Sequence, residues 1–307
     1  MDTNWDVIIV GGGPAGLSAA IYCGRALRKT LVLEKKVFGG QIVNADIIEN
    51  YPGFAEPIIP ADLMEQMSKQ SERYGVTLEN DEVSALRREG DAWAVDVYQN
   101  TYRAKAIIYA AGSQSRFLGV KGEKELLGRG VSVCATCDAP FFIKKNVAVL
   151  GGGDTALSEA LHLAKFAASV TLIHRRDQFR AEKILQDRVS KNDKIQVIWD
   201  AEILGFQGEQ RLQALEIRDK KTKRTDIQAF DGVFLAIGTV PNTELLKGLV
   251  QLDENGYVVT DISLRTEAKG LFVAGEVIQG NRRQVAISVG MGVQASLSCE
   301  EYLAALD

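Results

Sequence analysis

The chain has 307 residues, of which 46% are hydrophobic and 25% charged, a composition typical of a globular protein with two domains of ordinary size. Its net charge of -4 gives no reason to expect nucleic-acid binding. No apolar run approaches the roughly 18 residues that a membrane span needs. Residues 1–6 have the character of neither a signal peptide nor a transit peptide. We therefore expect a cytoplasmic protein with no nucleic-acid or membrane partner.

The start of the chain follows the pattern of a nucleotide-binding βαβ unit. Residues 7–10 form a short apolar run, typical of a buried parallel strand, and the sequence GGGPAG follows at residues 11–16. Apolar residues at helical spacing come next, and a second strand then ends on Glu34. Since strand, loop, helix, strand and acid stand in this order, we interpret the loop as a dinucleotide site and not as a structural turn.

Each residue type in this first loop has a physical role in such a site. Gly11 allows the tight turn, Gly13 lets the backbone approach a pyrophosphate, and Gly16 lets the helix pack on its strand. The helix that begins around Pro14 and Ala15 points its N-terminus at the phosphates. Glu34 stands where a carboxylate hydrogen-bonds ribose hydroxyls.

The same pattern returns at residues 147–173, where the loop reads GGGDTA and includes Gly152, Gly153, Asp154 and Thr155. Where the first unit has a glutamate after its second strand, this unit has basic residues, namely His174, Arg175, Arg176 and Arg180. Arginine is favoured for planar recognition of phosphate, whereas a carboxylate would repel a 2′-phosphate. The basic cluster predicts NADPH in preference to NADH; the alternative is a solvated basic turn.

The repeat also predicts how the domains are arranged. The final strand-and-glycine element, residues 270–276, and the helix after it have no nucleotide loop of their own, so we expect them to complete the first fold. The fold class is therefore α/β, with two Rossmann-like, three-layer ββα dinucleotide-binding domains and the second inserted in the first. The expected boundaries are 1–114 with 244–307 for the first domain and 115–243 for the second.

A CxxC pair, Cys134 and Cys137, lies between the two loops and is followed by Asp138. We expect it to open a short helical turn that ends at Pro140. The N-terminus of this turn would favour the reactive thiolate. Asp138 is placed to carry a proton to or from the departing thiol. Structural zinc and inert thiols are the alternatives, but no second cysteine or histidine pair completes a zinc site, so we expect no metal. A dithiol between two dinucleotide sites indicates electrons moving from a nicotinamide through a flavin to a disulfide.

The other two cysteines, Cys23 and Cys299, each fall on a predicted helix. Four cysteines in a chain of this length do not form a disulfide framework. We therefore expect these two to be packed as small apolar side chains.

These motifs together closely resemble the low-molecular-weight bacterial thioredoxin reductases, and the resemblance covers nearly the whole chain. It rests on both glycine loops, the CATCD sequence at residues 134–138, the HRR sequence at 174–176, GGQ at 39–41, IENYPG at 48–53, PNT at 241–243 and RQ at 283–284. The resemblance implies a homodimer with tightly bound FAD, NADPH as the electron donor and thioredoxin as the acceptor. It implies an NADPH-dependent flavoprotein disulfide reductase.

The resemblance also carries site residues over to this chain. Those it assigns to FAD, besides the first loop and Glu34, are Gly40, Gln41, Asn50, Val83, Gly112, Glu276, Arg283, Gln284 and Val285. Those it assigns to NADPH, besides the basic cluster, are Gly152, Gly153, Asp154, Thr155 and Gly238. The first domain would then bind FAD, and the second would bind NADPH and carry the dithiol.

Several residues depart from the pattern of these enzymes, namely Asp46, Ala139, Thr239 and Glu276, the last standing where aspartate is usual. They leave open a different small redox protein as the acceptor or another donor such as ferredoxin, although the intact arginine cluster favours NADPH. A non-catalytic redox sensor is a further alternative, against which the paired thiols beside Asp138 argue.

Two expectations concern how such an enzyme would work. Residues 116–145 carry Arg116, Lys121, Lys124, Arg129, Lys144 and Lys145 against Glu123, Glu125 and Asp138. This surface is either a docking site for an acidic partner or an ordinary solvated face. Because the dithiol and the second loop share the inserted domain, we also expect that domain to swivel about crossovers near residues 112–115 and 241–243.

Overall fold

The computed structural model describes residues 4–281 and 283–306. Met1, Asp2 and Thr3, on which part of the expectation about the start of the chain rests, lie outside the described residues. The chain divides into two compact units, one formed by Met1–Gln114 with Val240–Asp307 and the other by Ser115–Thr239.

The first unit is built on a seven-stranded sheet in the order β3-β2-β1-β6-β5-β4, with β17 paired to β6. Its strands are β1 (Asn4–Val10), β2 (Thr30–Leu33), β3 (Thr77–Glu79), β4 (Ala85–Glu89), β5 (Ala92–Asp96), β6 (Thr101–Tyr109) and β17 (Leu271–Val273). Its helices are α1 (Pro14–Arg25), α2 (Pro60–Arg73) and α6 (Val285–Ala304), with 3-10 turns at Gly40–Asn44, Glu244–Leu246 and Gly275–Val277.

Strand β6 joins two kinds of pairing in this sheet. Its first half pairs antiparallel with β5, and its second half pairs parallel with β17 on the same side. The parallel pairs align Val10 with Leu33 and with Tyr109, so three strands end at one level. Since the carboxyl ends of parallel strands share an edge, the loops that follow β1, β2 and β6 meet there.

Helices α1 and α6 pack closely because small residues line their contact. A Cβ on Gly292 would lie 2.1 Å from the carbonyl oxygen of Ala15, so only glycine permits this approach. The Ser18 hydroxyl donates to the carbonyl oxygen of Val289 at 3.0 Å, which is a hydrogen bond between the two helices. None of the helices in the described part of the chain combines the length and apolar composition that crossing a bilayer requires.

The second unit contains a five-stranded parallel sheet, β11-β10-β9-β15-β8, and a three-stranded antiparallel sheet, β12-β13-β14. Its strands are β8 (Val131–Ser132), β9 (Asn146–Gly151), β10 (Ser169–Ile173), β11 (Ile195–Ile198), β12 (Ala201–Gln207), β13 (Ala214–Asp219), β14 (Thr225–Ala229) and β15 (Gly232–Ala236). Its helices are α3 (Ala135–Asp138), α4 (Asp154–Leu163) and α5 (Lys183–Ser190), with a 3-10 turn at Ala139–Phe142.

The chain passes between the units in two short strands, β7 (Ser113–Ser115) and β16 (Thr239–Pro241), which pair with each other. The expected α/β fold with parallel sheets is confirmed. One local expectation was wrong, since Pro140 does not end the dithiol helix. That helix ends at Asp138, and Pro140 lies in the first turn of the 3-10 turn that follows, where a missing N–H costs nothing.

Candidate functional site

The first glycine loop follows β1, and its glycines are needed for different reasons. Gly11 has a φ of +105°, and a Cβ there would lie 2.4 Å from the carbonyl oxygen of Ala110. A Cβ on Gly16 would lie 1.8 Å from the carbonyl oxygen of Gly11, so α1 begins directly against the turn. A Cβ on Gly13, by contrast, would meet no described atom nearer than 3.9 Å. The protein itself therefore does not explain Gly13, whereas a closely bound ligand would.

Glu34 closes the first loop from the end of β2. Its carboxylate accepts the N–H of Gly12 at 2.8 Å through Oε2 and the N–H of Lys36 at 2.9 Å through Oε1. The acid therefore lies at the loop and is held in place by backbone donors. The ring of Phe38 packs beneath Gly12, where a Cβ would come within 2.5 Å of it.

A polar chain on the first unit joins three residues that are far apart in sequence. The Gln41 side-chain amide donates to the carbonyl and hydroxyl oxygens of Ser113, the latter at 3.1 Å. The Ser113 hydroxyl in turn donates to the carboxylate of Glu276. The family resemblance assigned Gln41 and Glu276 to FAD, and the structure brings both side chains to the Ser113 hydroxyl. The sequence analysis did not identify Ser113, because no motif marks it.

The remaining residues assigned to the first cofactor lie elsewhere on this unit. The Asn50 side chain donates to Gln284 at 3.1 Å, and Val285 begins α6 directly after Gln284. Arg283 is exposed and donates to the hydroxyl of Tyr257 at 2.7 Å.

Val83 and Gly112 have different surroundings. Val83 is half-buried and packs against the core of the first unit. Gly112 has a φ of +65° and open space around its Cβ position.

The second loop repeats the first in the other unit. A Cβ on Gly151 would lie 2.2 Å from the carbonyl oxygen of Ala236, while one on Gly153 would meet no described atom within 4 Å. Asp154 begins α4, and its carboxylate accepts the N–H of Glu182 at 2.8 Å. Gly238, with a φ of +104°, accepts the N–H of Arg116 at 2.9 Å.

His174 is placed differently from its arginine neighbours. It is only 5% exposed, and its ring lies beneath Gly152, where a Cβ would come within 2.5 Å. Phe179 and Trp199 surround the ring, and their own ring centroids are 4.4 Å apart. Burial lowers the pKa of His174, and the positive charges of Arg180 and Arg176 lower it further. His174 therefore supports the loop as an uncharged ring.

The three arginines are exposed around this loop. The N–H of Arg180 donates to the carbonyl oxygen of Gly152 at 2.8 Å, which ties the end of the basic segment to the glycine turn. The carbonyl oxygen of Arg176 accepts the N–H of Asp200 at 3.2 Å, and that of Arg175 accepts from the Lys220 ammonium at 3.1 Å. The backbone of the cluster is thus held, while its guanidinium groups face solvent.

Cys134 and Cys137 form a disulfide in the second unit, so the expected pairing is confirmed. Cys134 caps α3, and its Sγ accepts the N–H of Cys137 at 3.2 Å. Cys137 is exposed, and Cys134 and Asp138 are half-buried. A sulfur at the start of a helical turn is stabilised as a thiolate by the N–H groups that point at it. The pair is therefore accessible and electrostatically suited to thiol–disulfide exchange.

Cys23 and Cys299 are buried free thiols, as expected. Burial raises the pKa of Cys23 to about 12 and that of Cys299 well above its usual value. Because the thiolate is the reactive form of cysteine, these two buried thiols are unreactive. Within residues 4–281 and 283–306, no group of three or more His, Cys, Asp or Glu side chains is arranged to hold a metal ion.

Two residues beside the dithiol were not found from the sequence. Glu159 lies on α4, the helix that packs against α3; its Oε2 has no hydrogen-bond partner among the described residues, and burial raises the pKa of this carboxyl to about 8. Phe141 is 78% exposed in the 3-10 turn that follows α3, which is unusual for so large an apolar side chain. Neither residue gives a sequence signal. The exposure of Phe141 and the packing of the Glu159 helix against α3 are visible only in the folded structure.

The basic surface expected around the dithiol is present in a modified form. Arg129 and Lys145 are exposed and line an open groove with Asp138 and Phe141. Glu123, however, is fully buried and accepts the N–H groups of Leu118 and Gly119 at 2.7 and 2.6 Å. Counting Glu123 as an acid of this face was therefore wrong, because it serves two backbone donors inside the unit.

Comparison with known proteins gives a consistent result. Residues 5–292 match the family model described as pyridine nucleotide-disulphide oxidoreductase. The chain is 46% identical over 304 residues to a thioredoxin reductase of Streptomyces clavuligerus, covering 98% of this chain and 94% of that protein. It is 41% identical over 305 residues to a bifunctional thioredoxin reductase/thioredoxin of Mycobacterium leprae, covering 99% of this chain and 67% of that protein. The crystal structure of Lactococcus lactis thioredoxin reductase superposes with a TM-score of 0.96 at 39% identity, covering 98% of this chain and 99% of that one.

Proposed function

Since the chain belongs to the pyridine nucleotide-disulphide oxidoreductases, as a thioredoxin reductase that uses FAD and NADPH, we propose how its two units divide the work. The expectation of an NADPH-dependent flavoprotein disulfide reductase is thereby confirmed. In our proposal the unit Met1–Gln114 with Val240–Asp307 binds FAD, and Ser115–Thr239 binds NADPH and presents Cys134–Cys137 to thioredoxin. The observation that carries this division is the disulfide on the same unit as the arginine cluster.

The residues of each loop fit a dinucleotide. A Cβ on Gly13 or Gly153 would clash with no described protein atom, so the protein's own packing does not explain these glycines, whereas a closely bound ligand would. Each loop leads into the N-terminus of a helix. Around the first loop, Glu34, Gln41 and Glu276 offer the oxygen and amide groups that ribose and ribityl hydroxyls need. Around the second loop, exposed guanidinium groups suit a 2′-phosphate.

When bound, NADPH supplies a hydride and FAD passes the two electrons on to a disulfide. Breaking the Cys134–Cys137 bond with two electrons and two protons gives two thiols. The N–H of Cys137 favours negative charge on the Cys134 sulfur, and Asp138 is placed to hold or return the proton. One thiolate then attacks the disulfide of thioredoxin, and the second cysteine resolves the mixed disulfide, so that thioredoxin leaves as a dithiol.

We propose that thioredoxin docks on the groove beside the dithiol. Phe141 offers an apolar anchor, and Arg129 and Lys145 offer positive charge around it. An exposed aromatic side chain next to a reactive pair is the kind of residue that carries most of the energy of a small interface. The basic rim would steer an acidic partner toward it.

The crossover strands are the proposed hinge. Gly112 stands just before β7 with a positive φ and open surroundings, and Gly238 stands just before β16 with a positive φ. Such positions absorb backbone rotation at low cost. We also propose a homodimer that works in the cytoplasm, as the enzymes it resembles imply; exposed apolar side chains on α1 and α6, such as Tyr22 and Leu297, are consistent with an interface.

Replacing Arg175 and Arg176 together with alanine tests the NADPH site. We expect the KM for NADPH to rise at least about tenfold while the KM for NADH changes little, because charge-assisted hydrogen bonds contribute roughly 1.5–3 kcal/mol each. Arg224→Ala, an exposed arginine elsewhere on the unit, is the matched control. An unchanged ratio of the two KM values would refute the assignment.

Cysteine variants separate the redox pair from the buried thiols. Cys134→Ser or Cys137→Ser should abolish thioredoxin reduction while NADPH still bleaches the flavin absorbance, because either change removes the disulfide. Cys23→Ala and Cys299→Ala should retain turnover. Full thioredoxin reduction by either variant of the CxxC pair would require a different electron path.

Phe141→Ala tests the docking site. We expect the KM for thioredoxin to rise about tenfold or more, since burying a phenylalanine contributes roughly 1.5–3 kcal/mol. Turnover of a small aromatic disulfide, which needs no docking surface, should be unchanged. Ile227→Ala removes another exposed apolar side chain of the same unit and serves as the control. A KM for thioredoxin equal to that of the control would exclude this surface.

A further inference from the structure

A buried hydroxyl connects two of the residues assigned to FAD. Ser113 is the first residue of β7 and is only 6% exposed. Its Oγ accepts from the side-chain amide of Gln41 at 3.1 Å and donates to the carboxylate of Glu276. The same amide also donates to the carbonyl oxygen of Ser113. Three segments that are distant in sequence therefore meet at this serine.

The segment that carries Gln41 packs against the first glycine loop. The N–H of Gly39 donates to the carbonyl oxygen of Gly12 at 2.7 Å. A Cβ on Gly40, which has a φ of +65°, would lie 3.3 Å from the Cα of Gly13. Because Gln41 directly follows these two glycines, its side chain starts beside the turn at which a dinucleotide backbone is expected to lie.

The segment that carries Glu276 reaches the same loop from another strand. Strand β17 ends at Val273, which pairs with Tyr109 at the end of β6. Gly275 has a φ of +79°, and a Cβ there would lie 2.9 Å from the Cβ of Ala15, the second residue of α1. Glu276 follows directly and is half-buried. It therefore stands at the sheet edge where the loops after β1, β2 and β6 meet.

The hydrogen atoms in this polar chain decide what it offers to a ligand. Both N–H groups of the Gln41 amide are used within the protein, since they go to the carbonyl and hydroxyl oxygens of Ser113. The single hydroxyl proton of Ser113 goes to Glu276. The polar groups that remain are the Oε1 of Gln41 and the carboxylate of Glu276, and both are acceptors. They suit ligand groups that donate, such as sugar and polyol hydroxyls, and not phosphate oxygens.

We propose, on the basis of the FAD site proposed for this unit, that Ser113 is a positioning residue whose hydroxyl holds Gln41 and Glu276 as acceptors for the hydroxyl groups of FAD. Without this hydroxyl, the Gln41 amide keeps only its bond to the backbone carbonyl oxygen and can turn about it. Glu276 loses the donor that fixes one of its carboxylate oxygens. Because hydrogen bonds in a chain polarise one another, removing the middle group weakens both ends.

The test compares the FAD affinity of Ser113→Ala with that of the wild type. Ultrafiltration of the serially diluted, FAD-loaded enzyme gives the Kd from the flavin that passes the membrane. We expect the Kd to rise at least about fivefold, because the variant loses a hydrogen bond to a charged group. Thr101→Val is the matched control, since the Thr101 hydroxyl donates to the carboxylate of Asp96 at 2.8 Å, at the opposite end of β6. Its Kd should equal that of the wild type.

A second comparison asks whether Ser113 acts through its two partners. The background is the enzyme with both Gln41→Ala and Glu276→Ala, in which the hydroxyl has neither side chain to orient. Adding Ser113→Ala there should change the Kd for FAD by less than about twofold, because effects that act through shared partners do not add. An undiminished loss of affinity in that background would overturn the proposal, as would a Kd of Ser113→Ala equal to that of Thr101→Val.

Thermal unfolding at saturating FAD separates positioning from a structural role. Ser113→Ala and Thr101→Val each remove a hydrogen bond from a hydroxyl to a carboxylate, so we expect Tm changes of similar size and a higher Kd only for Ser113→Ala. A lower Tm of Ser113→Ala with an unchanged Kd would mean that the hydroxyl only stabilises the fold. The FAD content of the wild type is measured first. A wild type without FAD would refute the FAD site itself, whereas a wild type with FAD and an unaffected Ser113→Ala would refute only the role of Ser113.

Discussion

The organisation of this enzyme depends on one covalent constraint, which is that the disulfide and the arginine-lined loop belong to the same compact unit. Cys134–Cys137 sits before β9, and the GGGDTA loop follows directly after that strand. The first glycine loop belongs to the other unit. In our proposal, a flavin on the first unit exchanges electrons with two groups that the second unit carries together. We therefore propose that the second unit swivels, because a disulfide kept beside the flavin would be hidden from a protein partner.

The two loops share the same geometry, and we propose that their differences decide their ligands. Each follows a buried parallel strand and is closed by a ring beneath its second glycine, Phe38 in one unit and His174 in the other. Glu34 adds an acid that two backbone N–H groups hold at the first loop. At the second loop the corresponding residues are arginines, while burial keeps His174 uncharged. The fold thus supplies two similar cradles, and a few side chains at the strand ends distinguish them.

Sequence reasoning reached the fold and the chemical pair because both depend on local patterns. Glycines at fixed spacing, an apolar strand before them and a CxxC sequence are properties of short segments. It failed where a contact joins distant segments. Ser113 links Gln41 to Glu276, and Glu123 turns inward to the N–H groups of Leu118 and Gly119. Burial decides the role of each, and a single sequence does not specify burial of an individual polar side chain.

The swivel that we propose can be tested directly by locking the two units together. A bis-maleimide cross-link can join one introduced surface cysteine in each unit, applied to the oxidised enzyme in which Cys134 and Cys137 are bonded to each other. The measurement is multiple turnover with NADPH and thioredoxin, with a cleavable linker of the same length as the control. We expect the locked enzyme to stop after at most one transfer and to recover when the linker is cleaved. Turnover at the normal rate in a verified cross-linked enzyme would contradict it.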